Sequence, residues 1–121
     1  QAVMEGVSFA LRDNLEALKL TGTDIARALA IGGGAQSQFW VELVATVLNL
    51  PLDLPEQGEF GAAIGAARLA MVGCTGEEAD SIMIRPKIAK TIDPKSALTS
   101  SYEAAYQRYR ATYPALKEEI R

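Results

Sequence analysis

Three consecutive glycines, Gly32 to Gly34, constrain the fold of this chain more than any other part of its sequence. They follow an apolar run at residues 28–31 that is typical of a β-strand and precede an amphipathic run at residues 39–50 that is typical of an α-helix. Because glycine has no Cβ, the backbone can turn tightly here and a ligand can approach it closely. Such a loop before a helix can bind an anion or a nucleotide through backbone N–H groups, although an ordinary tight turn has the same layout.

The glycine loop matches neither of the two common phosphate-binding motifs. No Gly-Lys-Ser or Gly-Lys-Thr follows at the spacing of a P-loop, and the sixth position of the dinucleotide-binding fingerprint is Ser37 instead of glycine. A less specific cradle for a phosphate or a nucleoside remains, with side-chain hydrogen bonds offered by Gln36, Ser37 and Gln38. Ser37 also suits the N-cap of the helix, so a structural role is the simpler interpretation of each side chain taken alone.

The composition excludes several classes of protein. The chain has 121 residues, 49% of them hydrophobic, and a net charge of −3, which fits a soluble domain or part of one and argues against a nucleic-acid partner. No apolar run approaches the roughly 18 to 20 residues that cross a membrane, so we expect no membrane partner. Histidine, the commonest general base and transition-metal ligand, does not occur, and we find no catalytic residue or metal site in the sequence.

The spacing of apolar residues predicts helices that alternate with two short strands. The predicted helices span residues 1–20, 39–50, 60–72, 75–82 and 96–120. A buried strand is predicted at residues 27–31 and an edge strand at residues 51–55, where proline is tolerated, whereas residues 83–96 look irregular. Gly73 should cap the small-residue helix at residues 60–72, and Pro114 should kink or restart the last helix. Because a two-stranded sheet is marginal, further strands should come from sequence that precedes residue 1.

A few other residues have both a functional and a structural interpretation. Phe39 and Trp40 could stack on a base, but their apolar neighbours favour a place in the core. Glu59 could meet a ribose hydroxyl or interact with the dipole of the helix that follows it. Asp53 is expected at the surface. The single cysteine, Cys74, cannot form an internal disulfide, which favours an inert thiol in a reduced, cytoplasmic setting.

Three segments together resemble the C-terminal end of the FGGY carbohydrate kinases. Residues 3–11 are similar to a helix of that family, residues 29–40 resemble its adenosine-binding signature, and residues 58–70, with their Gly-Ala-Ala repeats, resemble its last conserved helix. The three segments keep the order and approximate spacing of the family. The glycine loop followed by the small-residue helix is a fairly specific pair, whereas either one alone would be a weak signal.

The resemblance implies an α/β fold and a kinase reaction. Residues 1–121 would form part of the C-terminal, actin-like (ribonuclease H-like) ATPase domain on its nucleotide-binding side, with the N-terminal domain absent from this chain. The family transfers the γ-phosphoryl group of ATP to a sugar hydroxyl with Mg²⁺, and a pentulose is the sugar favoured here. The implied partners are that small-molecule sugar and the upstream half of the same kinase, and a homodimer is compatible with the resemblance.

The resemblance also assigns roles to individual residues. Gly33, Gly34 and Ala35 would turn against the nucleotide, with Gly32, Gln36 and Ser37 beside them, and Gln38 would lie near the adenine. The catalytic Asp of the family lies upstream of these residues, so the chain alone should be inactive. A non-catalytic nucleotide-binding or interaction module of actin-like type is the alternative function.

Overall fold

The computed structural model describes residues 1–58 and 61–119. Helices alternate with short strands along this part of the chain, in agreement with the predicted α/β class. The elements are α1 (Ala2–Leu20), β1 (Ala28–Leu29), a 3-10 helix (Gly33–Gln36), α2 (Gln38–Leu48), β2 (Leu52–Pro55), α3 (Gly61–Thr75), α4 (Ala79–Ile82), β3 (Ile88–Ile92) and α5 (Ser96–Glu119). Within the described ranges, no helix is both long enough and apolar enough to cross a membrane.

The sheet has the strand order β1-β2-β3, with β1 parallel and β3 antiparallel to β2. The prediction of an edge strand at residues 51–55 is therefore wrong, because β2 is the central strand of the described sheet. The prediction of an irregular segment at residues 83–96 is also wrong, since β3 lies within it. The strand lacks a clear apolar pattern because only Ile92 of β3 is buried. The prolines on either side of it, Pro86 and Pro94, are more typical of an irregular segment. Pro55 is accommodated because the register shifts between Leu54 and Pro55.

The first strand lies where it was predicted but is shorter and more exposed. Ala28 and Ala30 pack toward α2, whereas Leu29 and Ile31 are about half exposed, at 49% and 53%. The expectation of a strand buried on both faces is wrong because β1 is an edge of the described sheet and only its α2 side is well covered. The apolar stripe predicted for α1 is also only partly buried, since Phe9 and Leu15 are enclosed while Val3 is exposed.

Helix α2 is the centre of the packing. Its residues Val41, Val44 and Ala45 meet Leu52 and Ile92 of the sheet on one side. On another side a second cluster joins three helices. Its buried members are Phe9 of α1, Leu43 and Val47 of α2, and Tyr106 of α5. Each fully buried large aliphatic side chain stabilises the fold by about 1.5 to 3 kcal/mol, so both clusters hold α2, and with it the loop that precedes α2, in a fixed position.

The later helices differ from their predicted bounds at the ends. Helix α3 continues past Gly73 to Thr75, so Gly73 is not its cap, and α4 covers only Ala79–Ile82 of the predicted residues 75–82. Helix α5 includes Pro114 without interruption, so the helix does not restart there. The predicted tyrosine face packs through Tyr106, whereas Tyr113 is 70% exposed.

Asp53 is buried in the centre of the sheet, contrary to the expectation of a surface acid. It is 4% exposed. One carboxylate oxygen accepts a hydrogen bond from the Thr91 hydroxyl at 2.6 Å, and the other accepts one from Arg27 Nη1 at 3.0 Å. The carboxylate thereby joins all three strands, because Arg27 directly precedes β1 and Thr91 belongs to β3. A buried carboxylate of this kind is tolerated only because it has these partners.

Replacing Asp53 with Asn should destabilise the fold by about 2 kcal/mol, because a buried hydrogen-bonded charge is lost and Arg27 then faces an amide N–H₂ group. Urea unfolding followed by the fluorescence of Trp40 measures the loss. Asp93→Asn is the matched control, since Asp93 is exposed, and it should change the free energy of unfolding by less than about 0.5 kcal/mol. Equal, small effects of the two substitutions would contradict a structural role for the Asp53 carboxylate.

Tyr106 joins α5 to α1 through a hydrogen bond whose strength should depend on pH. Its hydroxyl donates to Asp13 Oδ1, and the Arg12 guanidinium lies 4.2 Å from its ring centroid. Burial, followed by the hydrogen bond to Asp13, raises the pKa of Tyr106 from 10.0 to about 12. A raised folded-state pKa stabilises the fold fully below the unfolded-state pKa and loses that effect as the pH rises.

Wild type should therefore be more stable than Tyr106→Phe at pH 8, and the difference should shrink as the pH rises from about 10 to about 12. Denaturant unfolding of both proteins at several pH values measures this difference. Ionisation of the Tyr106 phenol, followed by ultraviolet absorbance, should appear near pH 12 and disappear in the variant. A stability difference that is constant over this pH range would contradict the link between ionisation of Tyr106 and stability of the fold.

Candidate functional site

The glycine loop and the loop after β2 lie side by side at one edge of the sheet. Because β1 and β2 are parallel, their carboxyl ends meet there, and the ladder continues beyond the strands. Ala30 N donates to the Asp53 carbonyl at 2.9 Å, and Gly32 N donates to the Gly58 carbonyl at 2.8 Å. The crevice at the carboxyl ends of parallel strands is the usual ligand site of open α/β sheets, so this edge is the candidate functional site.

Gly32 adopts a conformation that other residues rarely reach, with φ 86° and ψ 177°. This turn leads directly into the 3-10 helix, in which Ala35 N donates to the Gly32 carbonyl and Ser37 N donates to that of Gly34. Gly33 and Gly34 precede the first helical hydrogen bond, so their N–H groups cannot bond within the helix. Since both residues are exposed, the turn presents two backbone donors at the surface.

The three polar side chains after the glycines have separate positions. Ser37 is the N-cap of α2, as predicted, and its Oγ accepts from Trp40 N at 3.4 Å. Gln38 Nε2 donates to Glu42 Oε1 at 2.7 Å, one helical turn further along α2. Gln36 ends the 3-10 helix and is exposed. All three residues are exposed, as Gly33 and Gly34 are, and the Ser37 side chain is engaged in capping α2.

Glu42 and Lys95 extend this polar surface and were not singled out from the sequence. Lys95 Nζ lies 2.6 Å from Glu42 Oε2, so Glu42 joins Gln38 to the residue just before α5. The hydrogen bond from Lys95, followed by that from Gln38, lowers the pKa of Glu42 below its usual value. The spacing of Gln38 and Glu42 on a helix is a signal for their pairing, whereas Lys95 is too distant in the sequence to have been linked to them.

The two aromatic residues after the loop behave differently. Trp40 packs against both hydrophobic clusters, and a Cβ atom on Gly34 would lie 3.5 Å from its indole Nε1 and Cδ1. The indole therefore supports the 3-10 helix from inside. Phe39 is 62% exposed, so its predicted place in the core is wrong. The reason is that burial in α2 begins only at Trp40 and Val41, and the first turn of the helix lies at the surface.

A cleft of about 520 Å³ opens beside the glycine loop, between the end of β1, residues 56–58, α3 and residues 84–87. A Cβ atom on Gly61 would lie only 2.7 Å from Ile31 Cδ1, so the missing side chain of Gly61 allows α3 to lie close to the end of β1. A Cβ atom on Gly65 would meet no atom within 4 Å among the described residues. Glu59, the candidate ribose contact, lies outside the described residues.

The described residues fit a nucleotide better than they fit a metal ion. Exposed backbone N–H groups suit an anionic or nucleoside ligand, because they donate hydrogen bonds to its oxygen and nitrogen atoms. In residues 1–58 and 61–119, no group of three or more His, Cys, Asp or Glu residues lies close enough together to hold a metal ion. Cys74 is exposed.

Known proteins share the sequence and the fold of this chain. The family model "FGGY family of carbohydrate kinases, C-terminal domain" matches residues 1–74. Xylulose kinase of Escherichia coli is 32% identical over 99% of this chain, and the L-xylulose/3-keto-L-gulonate kinase of the same organism is 34% identical over 97% of it. The crystal structure of a xyloylose kinase from Brucella ovis has a TM-score of 0.84 and 53% identity over 98% of this chain.

This chain belongs to the FGGY family of carbohydrate kinases. Its α/β fold is that of the sugar kinases of this family, which have the actin-like architecture expected from the sequence. The chain spans about a quarter of the length of these relatives: 24% of each of the two Escherichia coli kinases and 25% of the Brucella ovis protein.

Alanine substitutions at Gly32 and Gly33 should distinguish a glycine that the backbone conformation requires from a glycine that alanine can replace. Gly32→Ala should destabilise the fold by about 1 to 3 kcal/mol, because alanine rarely adopts the required dihedral angles. Gly33→Ala adds a Cβ atom that meets nothing within 4 Å and should change stability by less than about 0.5 kcal/mol. Thermal unfolding of the two variants tests this, and equal losses would contradict the conformation described for Gly32.

Proposed function

We propose that this chain is the nucleotide-binding part of the C-terminal domain of a longer pentulose kinase. The reaction is Mg²⁺-dependent transfer of the γ-phosphoryl group of ATP to a hydroxyl of D-xylulose, which gives D-xylulose 5-phosphate. The observation that carries the proposal is the exposed turn of Gly33 and Gly34 at the carboxyl ends of two parallel strands, in a chain of the FGGY family.

The nucleotide would be held mainly by the backbone. The N–H groups of Gly33 and Gly34 would donate to its phosphate or ribose oxygens, and Gly32 and Ala35 would shape the turn around it. Gln38 would donate to the adenine from the end of a network in which Lys95 and Glu42 orient its amide. Gln36 and Ser37 would lie beside the ligand. Trp40 would keep the turn in place from below.

The chemistry requires groups that the described residues do not bring together. Phosphoryl transfer needs both substrates in line, bound Mg²⁺ and a group that orients the acceptor hydroxyl. The described part of this chain has no acidic cluster suited to a metal ion beside the glycine loop. Because the chain spans about a quarter of the length of its relatives, the catalytic Asp, the sugar-binding residues and the Mg²⁺ ligands would come from the rest of the kinase, and the 121-residue chain alone would be inactive.

An apolar groove supports the existence of that further part. It measures about 430 Å³ and lies along α1, β1 and α2, where its lining residues Leu11, Leu18, Ile25 and Leu29 are apolar. Leu11, Leu18 and Leu29 are each 42% or more exposed in the described structure. Covering such a surface by upstream strands and helices is favourable, at about 25 cal/mol for each Å² of apolar area buried. We further propose a cytoplasmic location, where ATP is abundant and Cys74 stays reduced.

D-xylulose is the first candidate sugar because xylulose kinases are among the relatives that match nearly the whole chain. L-xylulose is the second candidate, since a relative named as an L-xylulose/3-keto-L-gulonate kinase is 34% identical. The sugar-binding residues lie outside the site described here, so the choice between the two rests on these relatives.

The complete kinase should release ADP in a reaction that requires D-xylulose and Mg²⁺. Parallel reactions with L-xylulose, ribulose, glycerol and gluconate establish the sugar. Turnover with a different sugar would support the proposed kinase reaction but replace D-xylulose as its substrate. ATP binding without turnover of any of these sugars would favour a non-catalytic nucleotide-binding module.

In the same kinase, Gly33→Ala should raise the KM for ATP about fivefold or more while leaving the KM for the sugar unchanged, because its methyl group obstructs one backbone donor. Gly73→Ala is the matched control, since its Cβ atom also meets nothing within 4 Å but lies at the far end of α3. An unchanged KM for ATP in Gly33→Ala would contradict the placement of the nucleotide on the glycine loop.

A further inference from the structure

The cleft beside the glycine loop concentrates positive charge in a chain whose net charge is −3. Three cationic residues line it, namely Arg68 of α3 and Arg85 and Lys87 of the segment before β3. Among the described lining residues, Glu56 is the one acid. None of these residues belongs to the surface formed by Gly33 to Gln38, so the cleft is a separate feature of the molecule.

Two hydrogen bonds hold the walls of the cleft together. Arg68 Nη1 donates to the Ile84 carbonyl at 2.8 Å, which ties α3 to the segment that carries Arg85 and Lys87. Glu56 N donates to the Lys87 carbonyl at 3.0 Å, which ties the same segment to the end of β2. The three cationic residues are therefore placed around one opening by the fold. A guanidinium has several N–H donors, so the bond to Ile84 leaves Arg68 able to bind an anion as well.

The remaining lining of the cleft is apolar or has no side chain. The apolar residues are Leu29, Ile31, Pro55, Ile64, Ile84 and Pro86. Gly58, Gly61 and Gly65 leave room between them. The volume of about 520 Å³ falls within the range of about 300 to 1,000 Å³ that is usual for small-molecule sites. Cations beside an apolar wall suit an organic molecule that carries one strongly anionic group.

We propose that this cleft is a second ligand site, which binds a phosphate monoester. The phosphate would contact Arg68, Arg85 and Lys87, since guanidinium and ammonium groups form charge-assisted hydrogen bonds with phosphate oxygens. The organic part would lie on the apolar wall formed by Ile31 and Ile64. A nucleotide and a sugar phosphate share this chemistry, and the experiment separates them. The site does not depend on the proposed kinase reaction, because it shares no residue with the nucleotide-binding turn.

Gly65 provides a way to fill the cleft without disturbing the fold. It lies within α3 and lines the cleft, and a Cβ atom added to it meets nothing within 4 Å. Leucine also favours a helix more than glycine does. Gly65→Leu should therefore place its side chain in the space that the ligand needs. Gly73→Leu is the matched control on the same helix, because its Cβ atom is equally unobstructed but does not line the cleft.

The experiment is calorimetric titration of the full-length polypeptide that carries this sequence. The probes are AMP and D-xylulose 5-phosphate, each compared with its unphosphorylated counterpart, adenosine or D-xylulose. We expect at least one phosphorylated probe to bind, with a Kd at least tenfold higher in the double variant Arg85→Gln/Lys87→Gln and in Gly65→Leu. Gly73→Leu should stay within twofold of wild type. Binding of AMP alone identifies a nucleotide site, and binding of the sugar phosphate alone identifies a sugar-phosphate site.

Three results would overturn the proposal: no binding of either phosphorylated probe, equal binding of the unphosphorylated counterparts, or affinities that the cleft variants leave unchanged. Weakening by Gly33→Ala but not by the cleft variants would assign the probe to the glycine loop and would also overturn it. Turnover is measured separately, so failure of this site is distinguishable from failure of the kinase reaction.

Discussion

The parallel pairing of β1 with β2 is the contact on which the candidate site depends. It is short, since two residues of β1 pair with Leu52 and Asp53, but the Gly32 to Gly58 hydrogen bond extends it beyond the strands. That extension brings two loops, distant in the sequence, to one edge of the sheet. An antiparallel arrangement of the same strands would place the loops at opposite ends. The direction of one strand pair therefore decides whether the glycine loop has a neighbour with which to form a site.

Helix α2 connects both hydrophobic clusters to this edge of the sheet. Both hydrophobic clusters draw on it, and Trp40 contacts both while lying beneath Gly34. The Asp53 carboxylate fixes the strands on which the loops depend, through Arg27 on one side and Thr91 on the other. Backbone donors bind a ligand well only when they are already oriented, because the entropy of ordering a loop would otherwise oppose binding. The core next to the loop provides that order.

Sequence patterns predicted the parts of this fold that depend on neighbouring residues. The helical spacing around Leu43 and Val47, the N-cap at Ser37 and the turn at Gly32 are local properties, and the structure has all three. The errors arose where distant residues decide the outcome. Burial of Asp53 requires Thr91 from β3, and β3 itself is a strand because β2 pairs with it, although its own side chains are mostly exposed. The contact of Lys95 with Glu42 could not be predicted either, because the two residues are distant in the sequence.

The glycines illustrate why composition alone cannot assign a site. Gly32 is required by its backbone angles, and Gly61 by the 2.7 Å approach that its missing Cβ allows toward Ile31. Gly65, in contrast, faces open space, and helix propensity alone would favour alanine there by about 1 kcal/mol. The open space beside Gly65 in the described structure leaves room for a ligand or for another part of the longer kinase. That space is the cleft lined by Arg68, Arg85 and Lys87, in which the phosphate monoester proposed above would lie.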